Sequence, residues 1–390
     1  MRLGVPKEKD KNETRVSIVP ISIPKLKKLG FEVIIEKEAG EKSGYSDSEY
    51  EDKGGKIGNL EEVMESELIV SIDVPNFKMM EKGQMLACVA DPFRNLEQTK
   101  KIIDAGITLL SLDVIPRRLS RGQAMDVNSS QDNLSGYRAA LMGSLHISKM
   151  VPMMMTAAGT VRPAKFVIQG AAVAGLQAIA TAKRLGAAIQ AIDVRLAAKQ
   201  DTESLGAKFI DVPGWKDAES SSGHATLFTD KGLQEAFDNA LMDAVKDADV
   251  VITTARLFGA DAPKLFFNKE NNDKMTKEMK EGSVIVDMNT DTGGNIVGSK
   301  RGEIVEKDGV TIIGIPTLCR TIPNTASMLY SNNITNFVTV LVDDGKLVIN
   351  PEEQVLTGDE GGISAGYGGI LIIENGKINE NQTKLIEALK

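Results

Sequence analysis

The chain has 390 residues, 42% hydrophobic and 26% charged, the balance of a globular protein long enough for two domains with sizeable cores. Its formal net charge of −8 excludes non-specific nucleic-acid binding, which needs a basic surface. No apolar run reaches the ~20 residues that span a bilayer, and the opening MRLGVPKEKD holds no apolar signal region, so membrane attachment is expected only through a partner.

In chain order, Arg2–Val5 reads as a strand, Ile23–Leu29 as a helix closed by Gly30, and Glu32–Ile35 as the next strand. Leu68–Ile72, Met85–Val89 and Ile107–Leu112 read as further strands, with helical stretches such as Leu96–Asp104 between them. Such alternation predicts a parallel sheet with helices on both faces. The style repeats through Lys165–Ile168, Ala188–Ile192, Phe209-Ile210, Asp249–Thr253, Ser283–Asp287 and Val310–Ile315. The fold class expected is therefore α/β, with two doubly wound, Rossmann-like parallel-sheet domains and a cleft between them. Residues 213–232 are polar and glycine-rich and read as a functional loop. Residues 325–342 read as a long helix that returns the chain to the first domain. The tail from Pro351 reads as part hairpin, with a strand at Ile370–Ile373, and part linker. The domains expected are 1–127 plus 325–390, and 128–324. Cys88 and Cys319 lie in apolar stretches and are expected as reduced, buried thiols of a cytoplasmic protein.

The most specific local signal begins at Lys165. An apolar strand leads into Gly170-Ala-Ala-Val-Ala-Gly175, then an alanine-rich helix, then the strand Ala188–Ile192 ending on Asp193. This order places a dinucleotide pyrophosphate on a helix N-terminus and the adenosine ribose against a carboxylate. Gly170 can make the sharp turn, and Gly175 lets the helix approach the sheet. Ala172 stands where phosphate usually approaches a glycine backbone. Candidate cofactor contacts are Gly170, Ala172, Val173, Ala174, Gly175, Asp193, Val194, Arg195, Thr254 and Ala255. Taken alone, the motif is also compatible with an ordinary βα turn. No metal site is expected.

Gly4-Val-Pro-Lys-Glu8, Glu13-Thr-Arg15-Val and Pro20 resemble the opening of the alanine dehydrogenases and of the alpha subunits of proton-translocating nicotinamide nucleotide transhydrogenases, two groups that share one fold. Pro116-Arg-Arg-Leu-Ser-Arg121-Gly-Gln123-Ala-Met-Asp126, with Ser129-Ser-Gln, Asn133-Leu and Gly136-Tyr-Arg138-Ala, resembles the transhydrogenases. So do Thr156-Ala-Ala-Gly-Thr160, Gly175-Leu-Gln-Ala-Ile-Ala180 and Ala182-Lys-Arg-Leu-Gly186, and the similarity runs to about residue 345.

The resemblance implies NAD(H) bound on this chain and NADP(H) on a partner domain. Hydride would pass between them, and a membrane domain would couple the transfer to proton movement. It implies a Re/Si-specific enzyme, a homodimer, and a cytoplasmic chain held at the inner membrane by its partners. It places Arg118, Gln123, Asp126 and Ser129 at the nicotinamide, with Gln123, Arg118 and Asp126 serving the reaction. Hydride exchange between two nicotinamides needs no proton at the reacting carbons, so the lack of an obvious acid–base residue is consistent with it. Only His146 and His224 occur, and His146 reads as a packing or surface residue.

Several positions depart from the family pattern. Ala172 replaces a glycine, His224-Ala225 stands where Tyr precedes Ala, and Arg256 enters Thr253-Thr-Ala-Arg256-Leu-Phe-Gly259. The lysine that alanine dehydrogenases use on the substrate carbonyl should fall near Ser71 and is absent. An alanine-dehydrogenase-like amino-acid dehydrogenase and a non-catalytic NAD(H)-binding subunit stay open as alternatives.

Overall fold

A computed structural model describes residues 1–215, 228–257 and 259–390. His224-Ala225, most of the 213–232 loop and Phe258 lie outside the described residues. The chain divides into two compact units, Met1–Gln131 with Arg320–Lys390, and Asp132–Cys319.

In the first unit, eight strands form one sheet in the order Lys377–Ile378, Leu371–Glu374, Thr108–Ser111, Met85–Cys88, Leu68–Val70, Arg2–Val5, Glu32–Glu36, Lys56–Gly58. The last six are mutually parallel, and Leu371–Glu374 adds to the edge antiparallel. The first three strands in sequence run outward in one direction and the next three in the other. This is the doubly wound order, and its switch point lies between Arg2–Val5 and Leu68–Val70. The strands are short and buried because helices cover both faces. The core gathers Leu3, Val5, Leu68, Val70, Leu110, Tyr330, Ile334 and Phe337. The long helix expected over 325–342 runs over Pro323–Phe337, and the single 3₁₀ turn Val338–Val340 ends it.

The second unit repeats the scheme with seven strands. Their order is Lys208–Phe209, Ala188–Ile192, Lys165–Gln169, Val250–Thr253, Val284–Asp287, Val310–Ile313, Ile304–Lys307. All pair in parallel except the last, which folds back antiparallel. The switch point lies between Lys165–Gln169 and Val250–Thr253. The helix Lys231–Lys246 shows why the sheet is covered. Asp230 caps it by accepting from Leu233 N–H at 2.9 Å, and Leu233, Phe237, Leu241 and Val245 repeat on one buried face.

A small hairpin, Met154–Thr156 with Gly159–Val161, pairs only with itself. It carries Met153 and Met155, 61% and 71% exposed. Among the described residues, no helix is long and apolar enough to cross a membrane. Cys88 and Cys319 are buried and free, and burial pushes the Cys88 thiol well up.

Candidate functional site

The glycine turn sits at the second unit's switch point. Gly170 follows Lys165–Gln169 with φ +91°, a conformation that favours glycine. A methyl carbon added there would lie 2.4 Å from Thr254 Oγ1. One added to Gly175 would lie 1.8 Å from Gly170 O. The helix Val173–Arg184 is thus drawn onto its own entry turn, closer than any side chain permits. Gly136 plays the same part in the helix Val127–His146, where an added methyl would fall 2.0 Å from Ala174 O. Ala172 is the N-cap of Val173–Arg184, with extended backbone and no capping side chain. That end of the helix therefore has no side-chain oxygen competing for its N–H groups.

The neighbouring strand end is tied to the turn. Thr254 donates its N–H to Gln169 O at 2.9 Å and its hydroxyl to Gly170 O at 2.9 Å. Ala255 O accepts from Asn289 Nδ2 at 3.0 Å and Asn295 Nδ2 at 2.9 Å. Asp287 holds that loop in turn, accepting from the backbone N–H of Asn289, Asn295 and Ile296. Sequence reasoning missed these two asparagines. Their signal was the polar run DMNTDTGGN that follows the buried strand Val284–Asp287. Gln169 Oε1 and Thr253 Oγ1, on the last residues of the two central strands, are buried with no hydrogen-bond partner. Arg256, exposed, lies 3.5 Å from Asp291.

Asp193 lies at the end of Ala188–Ile192, buried, where a ribose-reading acid is expected. Its Oδ2 accepts from Ala171 N–H at 2.7 Å, so it also clamps the turn. Arg195 supplies the remaining donors. Its backbone N–H and Nε donate to Oδ1 at 2.8 and 3.1 Å, and Nη2 donates to Oδ2 at 3.1 Å. Val194 stands between the two.

The other predicted residues belong to the first unit. Asp126 is buried and serves as N-cap of Val127–His146. Its Oδ1 accepts from Ser129 N–H at 2.9 Å and its Oδ2 from Ser129 Oγ at 2.6 Å. Arg117 Nε lies 3.3 Å from the same carboxylate. Asp126 and Ser129 are therefore brought together, with Arg117 as the cation on the acid. Gln123 ends the short helix Ser120–Gln123 with its side chain exposed. Arg118 is exposed and lies against Gly361, where an added methyl carbon would come within 3.1 Å of Nη1. Arg121 Nη1 meets Glu353 at 2.6 Å.

A buried ionic network in the first unit was not anticipated. Glu8 follows the first strand and accepts from the backbone N–H of Ile72 at 2.6 Å and Asp73 at 3.2 Å. Burial pushes its carboxyl up to about 8, with Asp73 adding to the rise. Glu13 receives Arg15 in a fork at 2.8 and 2.7 Å and Arg320 Nε at 2.6 Å. Burial works to raise the Glu13 carboxyl, but Arg15 and Arg320 together hold it below the usual range. Arg320 also reaches Asp10 and Asp73. Ser71 is buried and donates to Asp73 O, and Ser66 to Phe77 contains no lysine. His146 is half-buried, its Nδ1 2.8 Å from Met142 O, which agrees with a packing role. No group of His, Cys, Asp and Glu among the described residues could hold a metal.

Two doubly wound units, one with a glycine turn held at van der Waals limits, define a protein of the dinucleotide-binding fold class. The family described as alanine dehydrogenase/PNT matches with its N-terminal domain over residues 4–135 and its C-terminal domain over 139–377, and the chain belongs to that family. It is 40% identical over 363 residues to the first of the chains that make up the NAD(P) transhydrogenase alpha subunit of Rickettsia prowazekii, covering 90% of this chain and 92% of that protein. It is 38% identical to the protein of the same name from Rhodospirillum rubrum, covering 92% and 95%. Among solved structures, the transhydrogenase from Sinorhizobium meliloti superposes with TM-score 0.82 at 36% identity, covering 97% of this chain and 100% of that one. An L-alanine dehydrogenase at 22% identity and TM-score 0.76 shares the fold.

Proposed function

We propose that this chain is the NAD(H)-binding component of a proton-translocating nicotinamide nucleotide transhydrogenase. The observation that carries the reading is the turn at Gly170 and Gly175. A Cβ at either position would collide with the opposing backbone or with Thr254, so the closeness is built in. Such a turn, opening on an uncapped helix N-terminus, fits a pyrophosphate. The relatives named as transhydrogenase alpha subunits supply the rest of the support.

NADH bound here would supply hydride to NADP⁺ held by a partner domain. The chain's own residues then have positioning work. Gly170, Ala172, Val173, Ala174 and Gly175 seat the pyrophosphate, and Asp193, Val194 and Arg195 meet the adenosine ribose. Thr254 and Ala255 border the seat. Arg118, Asp126 and Ser129 hold the nicotinamide end, and Gln123 aligns the ring for the partner's nucleotide. Asp126 suits this because Ser129 and Arg117 fix its carboxylate. Membrane association and proton coupling belong to the partner subunits. The exposed methionines at 153 and 155 fit a homodimer contact, since isolated apolar hairpins are rarely left in water. The absent lysine near Ser71 and the closed Arg15–Glu13–Arg320 network disfavour an amino-acid dehydrogenase.

Mixing the chain with an NADP(H)-binding transhydrogenase domain and following hydride exchange tests the reading. Exchange that requires both proteins supports it. Turnover of pyruvate, ammonia and NADH by this chain alone would replace it with an alanine dehydrogenase. NADH binding with neither reaction would leave a non-catalytic subunit.

A further inference from the structure

An ionised carboxylate offers about four lone-pair sites. At Asp193 all four are taken, by Ala171 N–H and by the backbone N–H, Nε and Nη2 of Arg195. The acid is 6% exposed in its side chain and the arginine 21%, so the guanidinium is what covers it. A ribose hydroxyl can donate to Asp193 only if an Arg195 donor gives way. The same pairing cancels the charge that would repel a 2′-phosphate, and an arginine at this place can accept one.

We propose that Arg195, not Asp193 alone, determines nucleotide specificity at this site, as a latch that competes with the adenosine ribose for the carboxylate and makes the site more permissive to a 2′-phosphate. The inference rests on the nucleotide reading given under Proposed function. Arg195 is two residues beyond the acid, and its carbonyl accepts from Ala198 N–H at 3.2 Å as the next helix begins. Its backbone is thus anchored apart from the side chain. Removing the guanidinium leaves Ala171 N–H and Arg195 N–H on the carboxylate and opens the other two sites to ribose hydroxyls.

The test is calorimetric titration of the whole chain, wild type, Arg195→Ala and Arg195→Lys, with NADH and with NADPH. Thermal unfolding without nucleotide verifies that each variant folds. In Arg195→Ala, NADH should bind as well or better and NADPH worse. The ratio of dissociation constants, NADPH over NADH, should then rise about tenfold, equal to 1.4 kcal/mol. Arg195→Lys keeps the charge without the fork and should fall between the two, and it carries the test if the alanine variant does not fold. A ratio unchanged in the variants, or both nucleotides weakened in proportion, overturns the latch while leaving the nucleotide site standing. If wild type binds neither nucleotide, the site and the latch fall together.

Discussion

Gly175→Ala is the sharpest probe of the turn. The added methyl would start 1.8 Å from Gly170 O and 2.8 Å from Gly170 C. Ordinary contact needs roughly 3.3 Å, so the helix N-terminus must retreat by about 1.5 Å, the rise of one helical residue. Overpacking of this kind costs about 1–3 kcal/mol in stability. The functional cost is separate. A retreat of that size carries the helix N–H groups out of hydrogen-bonding range of a seated phosphate. Losing one charge-assisted bond should raise the NADH dissociation constant about tenfold to a hundredfold. Calorimetry with NADH, alongside thermal unfolding, measures both effects. Ala172→Gly is the companion. Ala172 has φ −87° and ψ −164°, angles open to any residue, so glycine there relieves no strain and should tighten NADH only if the methyl obstructs the phosphate. A folded Gly175→Ala protein that binds NADH within about twofold of wild type would refute the phosphate-seat reasoning.

Gln123→Asn keeps the amide and shortens its reach. Hydride exchange with the NADP(H)-binding partner should fall about a hundredfold, or 2.7 kcal/mol, with NADH affinity unchanged, and a proportional loss of both would make Gln123 an ordinary cofactor ligand. Met155→Asp places charge on the exposed hairpin and should shift a dimer towards monomer in light scattering at micromolar concentration, whereas a monomeric wild type would remove the homodimer. Glu8 is protonated in the fold up to about pH 8 but ionises near its ordinary 4.5 when unfolded. Its contribution to stability is complete below 4.5 and lost as pH rises to about 8. Asp113, raised to about 6 by burial, acts in the same direction. Glu8→Gln should therefore gain at least about 2 °C in melting temperature at pH 8 relative to pH 5, and an equal effect at both pH values would refute the assignment.

Much of the architecture was legible because its signals are local. Apolar strands such as Lys165–Gln169 and Val250–Thr253 are buried on both faces, so they read as continuous runs. Gly170 and Gly175 were legible because a turn and a close approach each demand the residue that stands there. Short elements were not. Lys56–Gly58 has three residues, and Ile304–Lys307 alternates with exposed positions at a sheet edge. The hairpin that adds Leu371–Glu374 to Thr108–Ser111 joins positions more than 250 residues apart. The Glu13–Arg320 and Asp73–Arg320 pairs bridge comparable separations, and nothing local to Arg320 announces them.

Asp193 marks where reading residues one at a time stops. Its position was legible from its spacing after the glycine turn, but its availability was not. A carboxylate at the right distance from the turn is a ribose acceptor only if its lone pairs are open, and Ala171 and Arg195 fill them. Asp126 is occupied in the same way, with Ser129 and Arg117 on an acid that also caps a helix. The two acids differ in what holds them. Ser129 is bound to Asp126 through its backbone N–H as well as its hydroxyl, so that pair is part of the helix end and stays in place. Two of the donors on Asp193 belong to a side chain that can swing away. The first arrangement suits a fixed support and the second a competition, which is why specificity is sought at Arg195 and alignment at the loop that carries Gln123.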